Sequence, residues 1–196
     1  MVELNTNDLV FAKVKPNAII PTKEDENAGY DIYACFDEDY MVIPAHKTVL
    51  VPTGIASAMT DKYYLNVAER GSTGSKGIKY SAGIIDSSYR GEIFIALTNV
   101  NSDDVVISKL DKKELFDKHG CVDELGFKTI KYGTDEFDVI YEDEPYYEVI
   151  MYPYSKAIAQ LIVHEVPKMN VKEVTYEELK TIPSKRGTGA LGSSGK

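Results

Sequence analysis

The segment MVIPAHKTVLVP, residues 41–52, contains two short apolar runs that are each closed by a proline. The runs are Met41–Ile43 and Thr48–Val51, and a proline marks the end of each because it cannot donate to a central strand. Similar runs rich in Val, Ile and Tyr recur along the chain, with Pro, Gly, Asn and Asp between them: Leu9–Val14, Tyr63–Ala68, Glu92–Val100 and Ile158–Glu165. Strands of this length and spacing predict an all-β barrel or sandwich.

Length and composition narrow the class of protein. The 196 residues fit one domain, or one domain with a sizeable insertion, and 43% hydrophobic residues supply a core. The net charge of −9 argues against direct binding of nucleic acid. The N-terminus lacks the pattern of a signal peptide, and no apolar run is long enough to span a membrane. Cys35 and Cys121 have no metal-binding spacing, so we expect reduced thiols in the cytoplasm, or in the host cytoplasm for a viral protein.

Acidic residues are concentrated in residues 101–150. This range holds 14 Asp and Glu against six Lys, whereas the rest of the chain holds 17 acidic and 16 basic residues. The range is therefore predicted to be an insertion, either a solvated elaboration of a loop or a surface for a protein partner. Within it, Ser108–His119 has the apolar stripe of one helix, with Ser108 as its N-cap. A second short helical turn is predicted where Thr175 and Glu178 match a capping box.

Two polar constellations place an aspartate beside a strand. In AGYDIYA, residues 28–34, Gly29 permits an unusual backbone angle and Asp31 opens an alternating strand. In GIIDSSYRGE, residues 83–92, Asp86 follows an apolar pair, where a carboxylate is costly without partners or a task. Tyr89 follows three residues later, and an aspartate in such a bend could orient and deprotonate water. A structural turn and an ordinary hairpin end are the alternative interpretations.

Two further constellations combine glycines with hydroxyls and cations. The segment ERGSTGSKG, residues 69–77, has donors suited to phosphate oxygens. The C-terminal SKRGTGALGSSGK, residues 184–196, is too rich in glycine to hold a fixed shape alone, and we expect it to order over a bound nucleotide. It is not a Walker A loop, because Ala190 occupies a required glycine position. A flexible loop and an unstructured terminus are the alternatives.

Taken in order, these segments resemble the five motifs of the trimeric dUTPase family. The matching segments are AGYDIYA (28–34), RGSTG (70–74), GIIDSSYRGE (83–92), AIAQL (157–161) and RGTGALGSSG (186–195). The resemblance implies a distorted jelly-roll β-barrel and a homotrimer whose sites lie between subunits. The barrel would comprise residues 1–100 and 151–183, with residues 101–150 as the insertion and residues 184–196 as a flexible tail.

The resemblance also implies an activity, the Mg²⁺-dependent hydrolysis of dUTP to dUMP and pyrophosphate, which limits uracil incorporation into DNA. Asp86 would activate the attacking water, Tyr89 would pack on the deoxyribose and exclude a 2′-hydroxyl, and Asp31 would place Mg²⁺ through its waters. The other expected substrate-binding residues form three sets: Arg70, Gly71, Ser72, Thr73 and Gln160 at the phosphates; Gly83 and Ile85 in a uracil-reading hairpin over residues 78–93; and Arg186, Leu191, Gly192, Ser193 and Ser194 in the tail.

The chain departs from the family pattern at several positions. Gly71 stands where motif two has Ser, and Ser88 where motif three often has a second Asp. Residues 155–157 read Ser-Lys-Ala in place of Gly-Asp-Arg, and Ala190 and Leu191 replace a Gly and a uracil-stacking Phe. Because Leu has no ring to stack, we expect a tail that closes less firmly and an enzyme that stays active.

Three other functions compete with this interpretation. A dCTP deaminase would need a catalytic Glu in the strand after motif three, where residues 96–99 read Ala-Leu-Thr-Asn. A regulatory or binding protein on the same scaffold is motivated by the 56 residues between Asn99 and Lys156, which include Tyr141, Tyr146 and Tyr147. A general nucleoside triphosphatase is disfavoured by Tyr89 and the hairpin, which imply selection for a deoxyribose and a small pyrimidine.

Overall fold

A computed structural model describes residues 3–119 and 149–189. The chain divides into two compact units, Met1–Val166 and Pro167–Lys196. The described part of the larger unit is built mainly from strands: β1 Leu9–Lys13, β2 Gly29–Ile32, β3 Tyr40–Ile43, β4 Thr48–Pro52, β5 Ile55–Met59, β6 Tyr63–Ala68, β7 Ile78–Tyr80, β8 Ile84–Ile85, β9 Phe94–Asn99, β10 Val105–Ser108, β11 Ile150–Pro153 and β12 Ala159–Glu165. The helices are α1 Gly71–Gly74 and α2 Lys112–His119 in this unit, and α3 Tyr176–Thr181 in the smaller one. The all-β prediction is confirmed.

The strands form four small sheets around one core. Their orders are β1-β5, β11-β10-β3, β2-β12-β6-β8 and β4-β9-β7, and every pairing is antiparallel except that of β10 with β11. Side chains alternate as the strand period requires, so β6 buries Leu65 and Val67 while Tyr64 and Asn66 stay partly exposed. The buried faces meet in a shared core that includes Ile32, Phe36, Ile55, Leu65, Ile95 and Leu161.

The acidic range 101–150 begins inside the barrel. Its first strand, β10, has four buried residues and pairs with β3, with Val105 opposite Ile43. The side chain of Asn99, at the end of β9, joins the end of β3 to the segment before β10. Its amide donates to the Ile43 and Asp103 carbonyls at 3.0 and 2.8 Å. Any separate insertion therefore starts after β10. Residues 120–148, which include Gly120, Cys121 and the three tyrosines of the proposed partner surface, lie outside the described residues.

Helix α2 lies where a helix was expected, but the predicted N-cap was wrong. Asp111 caps it: Asp111 Oδ1 accepts from the Glu114 amide at 2.8 Å, and Glu114 Oε2 accepts from the Asp111 amide at 3.0 Å. Ser108 instead ends strand β10, and its hydroxyl donates to the Leu110 carbonyl at 2.8 Å. Because burial and pairing keep β10 extended to Ser108, the helix can begin only after the following turn.

An ion cluster ties the end of α2 to the loop before β3. Asp39 Oδ2 lies 2.7 Å from both Lys118 Nζ and His119 Nε2, and the His119 ring makes an edge-to-face contact with Tyr40. Hydrogen bonds from Lys118 and His119 lower the pKa of the Asp39 carboxyl. The cluster therefore favours a docked helix while Asp39 is ionised.

The smaller unit contains α3 and the start of the glycine-rich tail. Its predicted capping box is confirmed: Thr175 Oγ1 accepts from the Glu178 amide at 3.2 Å, and Glu178 Oε2 accepts from the Thr175 amide at 2.8 Å. Arg186 Nε donates to the Gly189 carbonyl at 3.0 Å. Across the described ranges, the helices are too short or too polar to cross a membrane.

Candidate functional site

A cavity of about 650 Å³ opens between β2, α1 and the turn that leads into β12. It collects residues from three of the sequence motifs, namely Asn27, Ala28, Gly29, Asp31, Tyr33, Arg70, Gly71, Ser72, Ser155, Lys156, Ala157 and Gln160. The structure thus brings together Asp31 and four of the five residues expected at the phosphates, although they are distant in sequence. The fifth, Thr73, is absent from these walls.

Strand register places Gln160 at the centre of the cavity wall. Gln160 on β12 lies opposite Asp31 on β2 and opposite Ala68 on β6, and its side-chain amide donates to the Glu69 carbonyl at 2.7 Å. Gly29 is needed because Gln160 approaches it closely: an added Cβ would lie 2.6 Å from Gln160 Oε1. Gly29 does not have the positive φ that Gly54, Gly77 and Gly187 adopt, so the predicted unusual backbone angle was wrong.

Asp31 and Arg70 form a two-pronged ion pair at one side of the cavity. Arg70 Nε lies 2.9 Å from Asp31 Oδ1, and Arg70 Nη2 donates to Asp31 Oδ2 at 3.0 Å. Arg70 Nη1 also donates to Ser72 Oγ at 3.4 Å. Thr73 is buried below this loop, where its hydroxyl accepts from the Arg70 amide and donates to the Arg70 carbonyl at 3.1 and 3.0 Å. Thr73 therefore stabilises the loop and does not face the cavity.

Tyr152 is a supporting residue that the sequence analysis missed. It lies on β11, is only 2% exposed, and donates its hydroxyl to the Ala157 carbonyl at 2.6 Å. Burial raises the pKa of the phenol, while its interactions with Ser72 and Arg70 oppose that shift. This buried hydroxyl therefore fixes the turn that carries Ala157, which forms one wall of the cavity. No local pattern distinguishes this tyrosine from its neighbours, so its role could be found only from the fold.

The motif-three aspartate lies in an exposed turn directly after β8. The Tyr89 amide donates to the Asp86 carbonyl at 3.1 Å, and the Tyr89 hydroxyl donates to the Glu92 carbonyl at 2.9 Å. The Tyr89 ring folds over Gly91, where an added Cβ would lie 2.5 Å from the hydroxyl. The Asp86 side chain is exposed.

The predicted hairpin over residues 78–93 is not a simple two-stranded hairpin. Strand β7 pairs with β9, whereas β8 pairs with β6, where Ile85 lies opposite Leu65. Strand β8 therefore belongs to a different sheet from β7, and its partly buried Ile85 packs against the core. Gly83 precedes β8, accepts from the Val67 amide at 2.7 Å, and has Asn66 Oδ1 only 3.0 Å from an added Cβ.

Asp86 and the cavity lie at opposite corners of the sheet β2-β12-β6-β8. Strand β8 ends at Ile85, which lies opposite Leu65; the same register continued by one residue would bring Asp86 level with Tyr64, whereas the row of paired residues that includes Asp31 and Gln160 ends at Ala68. Four residues along a strand span about 13 Å, and three strand spacings from β2 to β8 span about 14 Å. Asp31 and Asp86 of one chain are therefore about 19 Å apart along the sheet, by the same spacings.

Among the described residues that line the cavity, Asp31 provides the one carboxylate that could bind a metal ion. Within residues 3–119 and 149–189, no group of three or more His, Cys, Asp or Glu side chains could hold a metal ion. Asp31 lines the cavity, and Arg70 engages both of its oxygens. Mg²⁺ keeps most of its waters and binds through few carboxylates together with substrate phosphates. Asp31 fits that requirement as an outer carboxylate for a metal carried mainly by a polyphosphate.

Solved structures with a similar fold include two phage dUTPases. A variant dUTPase of Staphylococcus bacteriophage 80alpha with dUpNHpp has a TM-score of 0.65 at 24% identity, over 96% of this chain and 99% of that chain. A variant dUTPase from phage phi11 of S. aureus, which coordinates a structural Mg(II) ion, has a TM-score of 0.58 at 20% identity, over 87% of this chain and 99% of that one. At these identities the likeness shows the fold.

The family follows from the sequence comparisons. The dUTPase family model matches residues 15–112. The deoxyuridine 5′-triphosphate nucleotidohydrolase of Debaryomyces hansenii is 31% identical over 182 residues, which are 92% of this chain and 82% of the relative. The chain belongs to the dUTPase family and is a dUTP diphosphatase, a hydrolase of nucleotide metabolism.

Proposed function

We propose that the chain hydrolyses dUTP to dUMP and pyrophosphate at sites shared between the subunits of a homotrimer. The separation of Asp86 from the cavity carries this proposal. A base must lie within hydrogen-bond reach of the water it activates, or one water away. Asp86 cannot serve a phosphate held by Arg70 of the same chain across about 19 Å of sheet. The Asp86 turn of one subunit must therefore complete the cavity of another.

In the proposed reaction, the cavity binds the phosphates and Asp86 prepares the water. Arg70, Ser72 and Gln160 hold the triphosphate through charge-assisted and neutral hydrogen bonds. Asp86 orients a water and accepts its proton as the oxygen attacks the α-phosphorus. The new P–O bond replaces the bond to the bridging α–β oxygen, which leaves with pyrophosphate. Mg²⁺ on the triphosphate, with Asp31 as an outer carboxylate, would neutralise charge on that leaving group.

Two other elements would define the substrate. Tyr89 packs against the deoxyribose and leaves no room for a 2′-hydroxyl. The tail closes over the nucleotide through Arg186, and through Leu191, Gly192, Ser193 and Ser194, which lie outside the described residues. Deletion of residues 186–196 should therefore lower turnover strongly, and unchanged turnover would exclude this role. Consumption of a free nucleotide fits a cytoplasmic location, which is the host cytoplasm if the protein is viral.

The activity is tested by measuring pyrophosphate released from dUTP, dTTP, dCTP and UTP in the presence of Mg²⁺. We expect release from dUTP alone and its loss in Asp86→Asn. Release from none of the four would refute the proposed activity, and ammonia release from dCTP would indicate deamination.

Mixed trimers test the shared site. Asp86→Asn and Arg70→Ala chains should each be inactive alone. Randomly mixed in equal amounts, they should recover about a quarter of wild-type activity, because each site draws one residue from each of two neighbouring chains. Mixtures that stay inactive, although the chains exchange, would place both residues in the same chain.

A protein partner for the acidic range is a second proposal, and β10 changes how it must be tested. Deletions should spare β10 and β11, which belong to the barrel, and remove only residues between Asp111 and Val149. Pull-downs with and without that segment should differ by one or more proteins. Identical sets would remove the reason for proposing a binding role.

A further inference from the structure

The charges lining the cavity are unevenly compensated. Three charged side chains line it, Asp31, Arg70 and Lys156. Asp31 and Arg70 neutralise each other through two contacts of 2.9 and 3.0 Å. Lys156 is exposed and makes no ion pair within the described parts of the chain. Among the described residues, the Lys156 ammonium is therefore the one positive charge in the cavity lining that has no ion-pair partner.

The backbone that carries Lys156 is fixed although its side chain is exposed. The Lys156 amide donates to the Pro153 carbonyl at 3.0 Å and closes the turn between β11 and β12. The next residue, Ala157, is 2% exposed, and the buried Tyr152 hydroxyl holds its carbonyl. A long side chain on a fixed turn keeps the ammonium near the cavity and lets it adjust to a ligand.

The wall formed by α1 offers few side-chain donors. Gly71 lines the cavity and has no side chain, and an added Cβ there would meet no atom within 4 Å. Arg70 lies beside it with part of its hydrogen-bonding capacity taken by Asp31. A polyphosphate in the cavity would therefore gain its additional positive partner from the turn that carries Lys156.

We propose that Lys156 is a further substrate-binding residue, which binds the terminal phosphates of the nucleotide and makes the cavity prefer a triphosphate to a monophosphate. This inference rests on the proposed function, because dUTP is taken as the ligand. Lysine binds phosphate as a point charge, so its contribution grows with the charge of the phosphate chain.

Calorimetric titration with dUMP, dUDP and the imido analogue dUpNHpp in the presence of Mg²⁺ tests this role. We expect Lys156→Gln to weaken dUpNHpp about tenfold, as for loss of one charge-assisted contact, and to leave dUMP within about twofold. Lys156→Arg should restore most of the affinity for dUpNHpp. The difference between wild type and Lys156→Gln should shrink at high salt, because the ammonium is exposed and screened.

Two further variants sharpen the comparison. Lys62→Gln removes a cation outside the cavity lining that is already paired with Glu165 at 3.9 Å, and should change dUpNHpp affinity little. Gly71→Ser adds a hydroxyl where the structure has open space, and should recover part of the affinity that Lys156→Gln loses.

Distinct outcomes would overturn the inference. Unchanged dUpNHpp binding in Lys156→Gln, or an equal loss of affinity for dUMP and dUpNHpp, would show that the lysine does not bind the terminal phosphates. An equal loss of dUpNHpp affinity in Lys62→Gln would show that the effect comes from general surface charge and not from Lys156. If the wild-type protein bound dUpNHpp but Lys156→Gln bound it equally well, the role of Lys156 would be refuted and the proposed function would stand. Absence of dUpNHpp binding by the wild-type protein would overturn both.

Discussion

Replacing Gly29 with alanine should displace Gln160, which forms part of the cavity wall. The added Cβ would lie 2.6 Å from Gln160 Oε1 and 2.9 Å from Gln160 Cβ. The side-chain oxygen can rotate away, but the Gln160 Cβ is fixed by strand β12, which pairs on both sides. The amide of Gln160 would then lose its 2.7 Å bond to the Glu69 carbonyl.

The magnitude follows from two contributions. Overpacking of a well-packed site costs about 1–3 kcal/mol. Loss of a partly buried hydrogen bond costs about 1 kcal/mol. The Gly29→Ala protein should therefore be less stable by about 2–4 kcal/mol, which lowers Tm by on the order of 10 °C for a chain of this size. Because Gln160 lines the cavity, KM for dUTP should rise as well.

Thermal unfolding at a fixed protein concentration, together with steady-state kinetics, checks this expectation, since an oligomer's Tm depends on concentration. Gly74→Ala is the matched control: its added Cβ would lie 3.9 Å from Glu69 Cβ, an ordinary contact, and Gly74 is outside the cavity lining and has no positive φ. The control should be neutral or slightly stabilising, by about 0.4–1 kcal/mol. If Gly29→Ala matched the control in both Tm and KM, the close approach of Gln160 would not be the reason for this glycine.

Three further substitutions test individual contacts. Tyr152→Phe removes a buried hydroxyl that donates to the Ala157 carbonyl in the cavity wall; stability in urea should fall by about 1–2 kcal/mol, and KM should change more than kcat. Asp31→Asn removes the carboxylate that orients Arg70 and that would serve as the outer carboxylate for Mg²⁺, so KM for dUTP should rise several-fold in steady-state assays. Asp39→Asn should destabilise the docked α2 helix at neutral pH. The pKa of Asp39 is lowered from an ordinary 3.8, so its stabilising contacts, including that with Lys118, are complete above that value and lost as the pH falls through the lowered pKa. Urea unfolding curves of wild type and Asp39→Asn should accordingly differ at pH 7 and converge in strong acid.

Local sequence patterns determined the strands and the positions of the motifs. Alternation and turn residues are properties of neighbouring positions, so segments such as Tyr63–Ala68 could be assigned without tertiary information. The Thr175 capping box is equally local. The predicted cap of α2 failed at Ser108, because burial and pairing in β10 outweigh a helix-capping preference and leave that role to Asp111.

Only the tertiary structure decided which residues share a site. Strand register joins Asp31, Arg70 and Gln160 across more than a hundred residues of sequence, and it separates all three from Asp86. Register also explains why residue 29 is a glycine, because a side chain from another strand approaches it closely. Pairing between distant strands depends on burial and hydrogen bonding across the whole sheet, whereas sequence patterns record only the preferences of neighbouring residues.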